Sequence, residues 1–287
     1  MPQRQTFTNN SMEISYLQWS DRGMPLLLLH GMADHALVWS SLGDYLSSNY
    51  QVIAPDLRGH GESGKPATGY HFQDYIGDLR ALINHLGWTQ AHILGHSWSA
   101  KIAAIWATQQ PEVFKSLILV DPFFIDKMPS WIRITFPILY QVLPFLKITR
   151  SFDSYQSIEA IARQLKQYKG WSNLQQEVFK NAIEQKADGS WSSKFTLSAR
   201  GEIFEDVMGF AGLTKALDIP SLLILPQQGL NRTAWQIQSY KKYLTSLEIK
   251  KIPGNHWAFL GEPETFNQAV AEFLSVQEND NVLLKGN

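Results

Sequence analysis

A serine, a histidine and an aspartate whose types could serve as nucleophile, base and carboxylic acid stand far apart along this chain, at Ser97, His256 and Asp121. Ser97 lies in Ala91-His92-Ile93-Leu94-Gly95-His96-Ser97-Trp98-Ser99-Ala100-Lys101, where an apolar run passes through Gly-x-Ser-x-small into a helix-forming stretch. Such a junction pushes a serine hydroxyl out at the end of a sheet, and small residues flank it because strand and helix nearly collide. Serine is also a frequent helix N-cap, which is the competing structural reading. A hydroxyl attacks well only beside a base, and imidazole, with an unperturbed pKa of ~6.5, suits that task near neutral pH. His256 stands in the loop-like Ile252-Pro253-Gly254-Asn255-His256-Trp257, whereas His92 falls in a strand, His85 in a helix and His60 in a glycine-rich loop. Asp121 closes the apolar run Leu117-Ile118-Leu119-Val120. A carboxylate there could fix the imidazole tautomer and stabilise the imidazolium.

The elements that must bring these groups together read as an alternating α/β chain. Strands are expected at 13–19, 26–29, 51–54, 91–94, 116–120, 221–225 and 248–252, several of them continuously apolar as in a sheet covered on both faces. Phe72, Tyr75, Ile76, Leu79, Leu82, Ile83 and Leu86 recur at helical spacing, and 101–109 and 264–276 also read as helices. The alternation breaks from Pro122 to about Lys215, a Trp- and Phe-rich stretch with helical patterns near 158–168 and 174–185. A helical insertion over one end of the sheet is the economical reading, giving a core of 1–121 and 216–287 and a cap of 122–215. Residues 277–287 read as a loose tail.

Two further motifs complete an ordered set: Pro25-Leu26-Leu27-Leu28-Leu29-His30-Gly31-Met32, and Asp56-Leu57-Arg58-Gly59-His60-Gly61-Glu62-Ser63. With Gly95–Ser99 and Gly254–His256 they resemble the α/β-hydrolase fold, in the branch near epoxide hydrolases, haloalkane dehalogenases and carbon–carbon bond hydrolases. The resemblance covers both ends of the chain and, more loosely, the cap. It implies a mostly parallel eight-stranded sheet flanked by helices, an oxyanion hole from the Met32 and Trp98 backbone N–H groups, and His256 as base. It makes Asp56 and Arg58 fixtures of their loop, and Ser63 a poor rival to Ser97. Neighbouring His30, Gly31, His96, Trp39, Phe123 and Trp257 are candidates to line a substrate pocket. Trp98 is another, and Trp131, Phe136, Tyr140, Phe145, Trp171 and Trp191 form its roof or simply pack the cap.

The chain departs from the family where most members carry the acid, after strand 221–225: Pro226-Gln227-Gln228-Gly229-Leu230-Asn231 has no carboxylate. Some relatives take the acid from the end of the preceding strand, which is Asp121 here. Asn231 as a neutral orienter and an impaired triad are the other readings. Epoxide hydrolases and dehalogenases attack with a carboxylate, so Ser97 points instead to acyl transfer on an apolar ester, thioester or lactone, or to cofactor-free carbon–carbon cleavage. A ligand-binding or signalling role on the same fold, or a Trp-rich partner surface, are the non-enzymatic alternatives.

Composition narrows the field further. Twenty-five basic against 26 acidic residues give a net charge of −1 over 287 residues, with no basic cluster for nucleic acid. There is no cysteine, which removes disulfides and thiolate chemistry. No metal or cofactor is expected. The polar N-terminus lacks an apolar secretory stretch, so a cytoplasmic protein is the default. Residues 131–148 are apolar but interrupted by Arg133, Pro137, Gln141, Pro144 and Lys147, too broken for a membrane span. The expected partner is a small apolar substrate; oligomeric state is not legible.

Overall fold

A computed structural model describes residues 2–135, 138 and 143–284. Eight strands form one sheet in the order β1-β2-β4-β3-β5-β6-β9-β10: β1 Gln3–Asn9, β2 Met12–Gln18, β3 Met24–Leu29, β4 Tyr50–Pro55, β5 Ala91–His96, β6 Phe114–Val120, β9 Ser221–Gln228 and β10 Leu247–Asn255. From β4 to β10 every pairing is parallel, while β1–β2 and β2–β4 are antiparallel. The expected mostly parallel sheet is present.

Strand β1 is missing from the seven strands read in the sequence. Its residues, QRQTFTN, are exposed except for Phe7 and partly buried Asn9, so it shows almost no apolar signal. It is an edge strand specified by its turn: Asn10 and Ser11 have φ of 46° and 68°, the double left-handed geometry that closes a two-residue hairpin.

The central strands feed two cores by their period of two. Leu27, Leu29, Leu117, Leu119, Leu223 and Leu225 enter one apolar cluster. Leu26, Leu28, Ile118, Val120, Leu222 and Ile224 enter the other. Helices α1 Ser40–Leu46, α2 Phe72–His85 and α3 Trp98–Gln109 follow β3, β4 and β5. That alternation of strand and covering helix makes the continuously apolar strands soluble in the fold.

Between β6 and β9 the described elements are 3-10 turns at Ser130–Thr135, Pro144–Thr149 and Lys166–Tyr168, helices α4 Tyr155–Ala162, α5 Asn173–Ala182 and α6 Leu197–Gly209, and a hairpin of β7 Ile183–Gln185 with β8 Trp191–Ser193. The helix expected through 185 therefore ends at Ala182, and β-branched Ile183 opens a strand instead. Phe136 and Tyr140 lie outside the described residues. Ile158, Val178 and Phe179 of α4 and α5 join one core, whereas Ile203, Phe204 and Val207 of α6 join the other. The segment between β6 and β9 thus packs into both cores.

After β9 come α7 Gln238–Tyr243, α8 Ala258–Gly261 and α9 Pro263–Leu284. The C-terminal residues to 284 are helical, not the loose tail expected. Glu278 anchors this stretch by accepting from Lys115 Nζ and pairing with His92 Nε2 at 2.9 Å. These are long-range contacts with β5 and β6 that local polarity does not announce. Among the described residues, no helix is long and apolar enough to cross a membrane.

Candidate active site

The β5–α3 junction forces the serine outward. A Cβ at Gly95 would lie 2.7 Å from Ala100 Cα and from the Ser99 carbonyl oxygen, so only glycine lets strand and helix approach this closely. Ser97 itself has φ 59° and ψ −119°, a conformation that costs a non-glycine residue about 1–3 kcal/mol and persists only when its surroundings hold it. They do. Its N–H donates to the Val120 carbonyl at 2.9 Å, and its carbonyl accepts from Phe123 N–H at 3.1 Å. Ser99, standing where glycine is usual, is fully buried; its hydroxyl accepts from His96 N–H at 3.0 Å and donates to Leu29 O at 2.9 Å. The hydroxyl therefore ties α3 to two strands.

His256 follows β10, after Gly254 with φ 96°. Its Nδ1 lies 2.6 Å from Asp121 Oδ2, which leaves Nε2 as the ring nitrogen available to another group. Asp121 is fully buried and has φ 40°. Burial by itself would raise its pKa. The hydrogen bond and charge of His256, with N–H donors from Asn231 and Leu230, outweigh burial and hold the carboxyl below its ordinary value. Leu230 N–H donates at 2.8 Å, and Asn231 Nδ2 donates to Asp121 Oδ1 at 3.0 Å and to Pro122 O at 2.8 Å. The Asn231 amide thus orients the carboxylate, not the imidazole as one sequence reading had it.

Ser97 and His256 line the same cavity, about 190 Å³ in volume, together with Gly31, Met32, His96, Phe123, Phe145 and Trp257. No hydrogen bond joins Ser97 Oγ to His256 among the described residues; in unliganded sites such bonds often tighten only on substrate binding. Neither the Met32 nor the Trp98 N–H has a hydrogen-bond partner among the described residues, and Trp98 opens α3, where N–H groups favour negative charge.

Three pocket expectations fail. His30 is fully buried and acts as a strut: Leu57 N–H donates to its Nε2 at 3.0 Å and its Nδ1 faces Gly31 O at 2.8 Å. Burial lowers its pKa to about 4, so it is neutral. The Trp39 indole is also fully buried, packed on Phe259 with ring centroids 4.6 Å apart. The Trp98 indole is fully buried against Tyr75 of α2 and His60. Nearness in sequence misled here, because a helix start or loop sends successive side chains to different faces. Of the roof aromatics, Phe145 lines the cavity. Trp171 and Trp191 pack on Phe179 and Tyr155, and Trp131 is 65% exposed.

Asp34 is the residue that sequence reading missed. It lines the cavity and is 4% exposed. Its carboxyl accepts from Gln167 Nε2 of the insertion at 2.8 Å and from Trp257 Nε1 of the His256 loop at 3.1 Å. Burial raises its pKa to about 7 against the pull of these two donors. His96 adds a second tie, with Nε2 2.9 Å from the His256 carbonyl; that nitrogen must carry the proton. The only sequence signal for Asp34 was its place three residues after Gly31. Asp56 and Arg58 are loop fixtures: Asp56 accepts from Ala36 and Glu62 N–H, and Arg58 pairs with Asp78.

Residues 24–263 match the family described as alpha/beta hydrolase fold, and the chain belongs to it. A serine hydrolase-like protein of Danio rerio is 23% identical over 275 residues, 90% of this chain and 83% of that protein. A soluble epoxide hydrolase of Corynebacterium sp. (strain C12) is 36% identical over 118 residues, only 40% of each chain. Among solved structures, E-2-(acetamidomethylene)succinate hydrolase superposes with a TM-score of 0.80 at 19% identity, covering 96% of this chain and 100% of that one. At that identity the likeness shows the fold alone.

Proposed function

We propose that this protein is a serine hydrolase of apolar carboxylic esters, acting through Ser97, His256 and Asp121. The observation that carries the reading is the 2.6 Å contact of buried Asp121 with Nδ1 of His256, whose side chain lines the same cavity as Ser97. Ser97 Oγ attacks the ester carbonyl while its proton passes to His256 Nε2. The tetrahedral oxyanion is received by the Met32 and Trp98 N–H groups, donors of a kind worth ~3–4 kcal/mol each. His256 returns the proton to the leaving alcohol, and water then hydrolyses the acyl-serine by the same route. In this reading the 122–215 insertion is the cap that sets specificity.

A fluorophosphonate probe tests it, with the adduct mapped by intact mass and peptide sequencing. Stoichiometric labelling at Ser97, lost in Ser97→Ala and His256→Ala, is expected. Folded wild-type protein that remains unlabelled would overturn the reading.

A further inference from the structure

A second cavity of about 130 Å³ adjoins the catalytic one, and Phe123 and Leu230 line both. We infer that this side chamber is a subsite for the unbranched aliphatic acyl chain of the substrate, entered past Phe123 and Leu230. The inference rests on the serine-hydrolase reading and extends it to a substrate class.

The lining decides the chemistry of the occupant. Beyond the two shared residues, Phe124, Ile125, Met128 and Trp235 supply apolar surface. The polar side chains there are engaged elsewhere. Asp126 accepts from Ser239, Asn231 holds Asp121 and Pro122, and Gln236 bonds the Leu230 carbonyl and the Arg232 N–H. Each of these side chains already has a partner within the protein, and the rest of the lining is apolar, so an apolar ligand fits. Phe124 and Leu230 are each 40% exposed and Trp235 is 71% exposed, leaving apolar surface at one site that a bound chain would cover.

The two walls differ in rigidity. Phe123 sits between two left-handed residues, Asp121 at φ 40° and Phe124 at φ 45°. Its N–H is tied to Ser97 O, and buried Lys101 on α3 donates to the carbonyls of Phe124 and Asp126. Leu230 is held through its backbone N–H on Asp121, and its half-exposed side chain is the wall that can yield. The acyl half remains on Ser97 through both chemical steps while the alcohol must leave, which is why the chamber is assigned to the acyl chain.

The test is a series of p-nitrophenyl esters from acetate to dodecanoate, with the ratio of kcat/KM for octanoate over acetate as the readout. Each methylene buried gains about fourfold in binding, so a wild-type ratio of at least about ten is expected. Leu230→Trp, which narrows the entry, and Trp235→Ala, which strips a wall, should each lower that ratio about tenfold; both side chains are exposed enough for the fold to survive. A flat wild-type series, ratios unchanged in both variants, or chain-length dependence confined to the alcohol half of alkyl acetates overturns the inference. Calorimetric binding of octanoate to Ser97→Ala protein separates the two readings. Octanoate binding that Leu230→Trp weakens supports the subsite even if no ester is turned over. Turnover without such binding sinks the subsite and leaves the serine mechanism standing.

Discussion

The Asp121 carboxylate occupies the space into which a side chain at position 229 would project: a Cβ on Gly229 would lie 2.5 Å from Asp121 Oδ2. Position 229 falls in the stretch after β9 where the resemblance places the acid of most family members, and an acid there and the Asp121 carboxylate would be mutually exclusive, because two carboxylates cannot share that volume or both ionise in it. Moving the acid should therefore work only as an exchange. Asp121→Gly is expected to abolish most esterase activity, Gly229→Asp alone to impair folding, and the double variant Asp121→Gly/Gly229→Asp to recover at least about tenfold over Asp121→Gly. Glycine at 121 also relieves the left-handed φ of 40° there. Ester hydrolysis rates for the three variants, beside thermal melts, decide it; no recovery in the double variant would count against the acid role.

Asp121→Asn keeps the shape of the carboxylate but removes its charge and gives His256 Nδ1 the wrong partner. A fall in kcat/KM of roughly 10³–10⁴ is expected. Asn231→Ala removes one of several donors to the carboxylate, so its effect should be far smaller, about tenfold. Initial rates on a short p-nitrophenyl ester compare the two. The opposite ranking would assign the orienting role to the amide.

Asp34 carries a pH signature of definite sign. Its folded pKa, about 7, lies above the unfolded carboxyl value of ~3.9. The folded state therefore binds more protons between these values, and stability is full below the lower one and declines as pH rises through the upper. The loss attributable to this group is roughly 3–5 kcal/mol. Asp121 acts in the opposite sense: its folded pKa is lowered, so its stabilisation is present above the unfolded value and lost on acidification. Urea unfolding at pH 5 and pH 8 should show wild type losing more stability on going to pH 8 than Asp34→Asn does. Parallel behaviour of the two proteins would refute the assignment.

Ser99→Gly restores the residue usual in the family, yet it should destabilise by about 1–2 kcal/mol. It removes the hydroxyl that bonds His96 N–H and Leu29 O, and it leaves those buried groups unpaired. Gly95→Ala should cost more, above about 3 kcal/mol, because backbone atoms 2.7 Å away cannot yield. Denaturant midpoints of the two variants provide the comparison.

Residue order and local pattern already carried the elbow at Gly95–Ser99, the parallel apolar strands and the loop bearing His256, since each follows from short-range sterics and from the two-residue and 3.6-residue periods. For the group that orients the imidazole they left Asp121, the neutral Asn231 or an impaired triad. Only the tertiary structure brought the Asp121 carboxylate to His256, with Gly229 beside it and the Asn231 amide turned onto it. Packing equally removed His30, Trp39 and the Trp98 indole from the pocket and admitted Asp34, whose partners Gln167 and Trp257 are 133 and 223 residues away. A pattern within a window of a dozen residues reports which face is apolar. It is silent on which distant side chain fills the space opposite, and that is where the chemistry of this site is set.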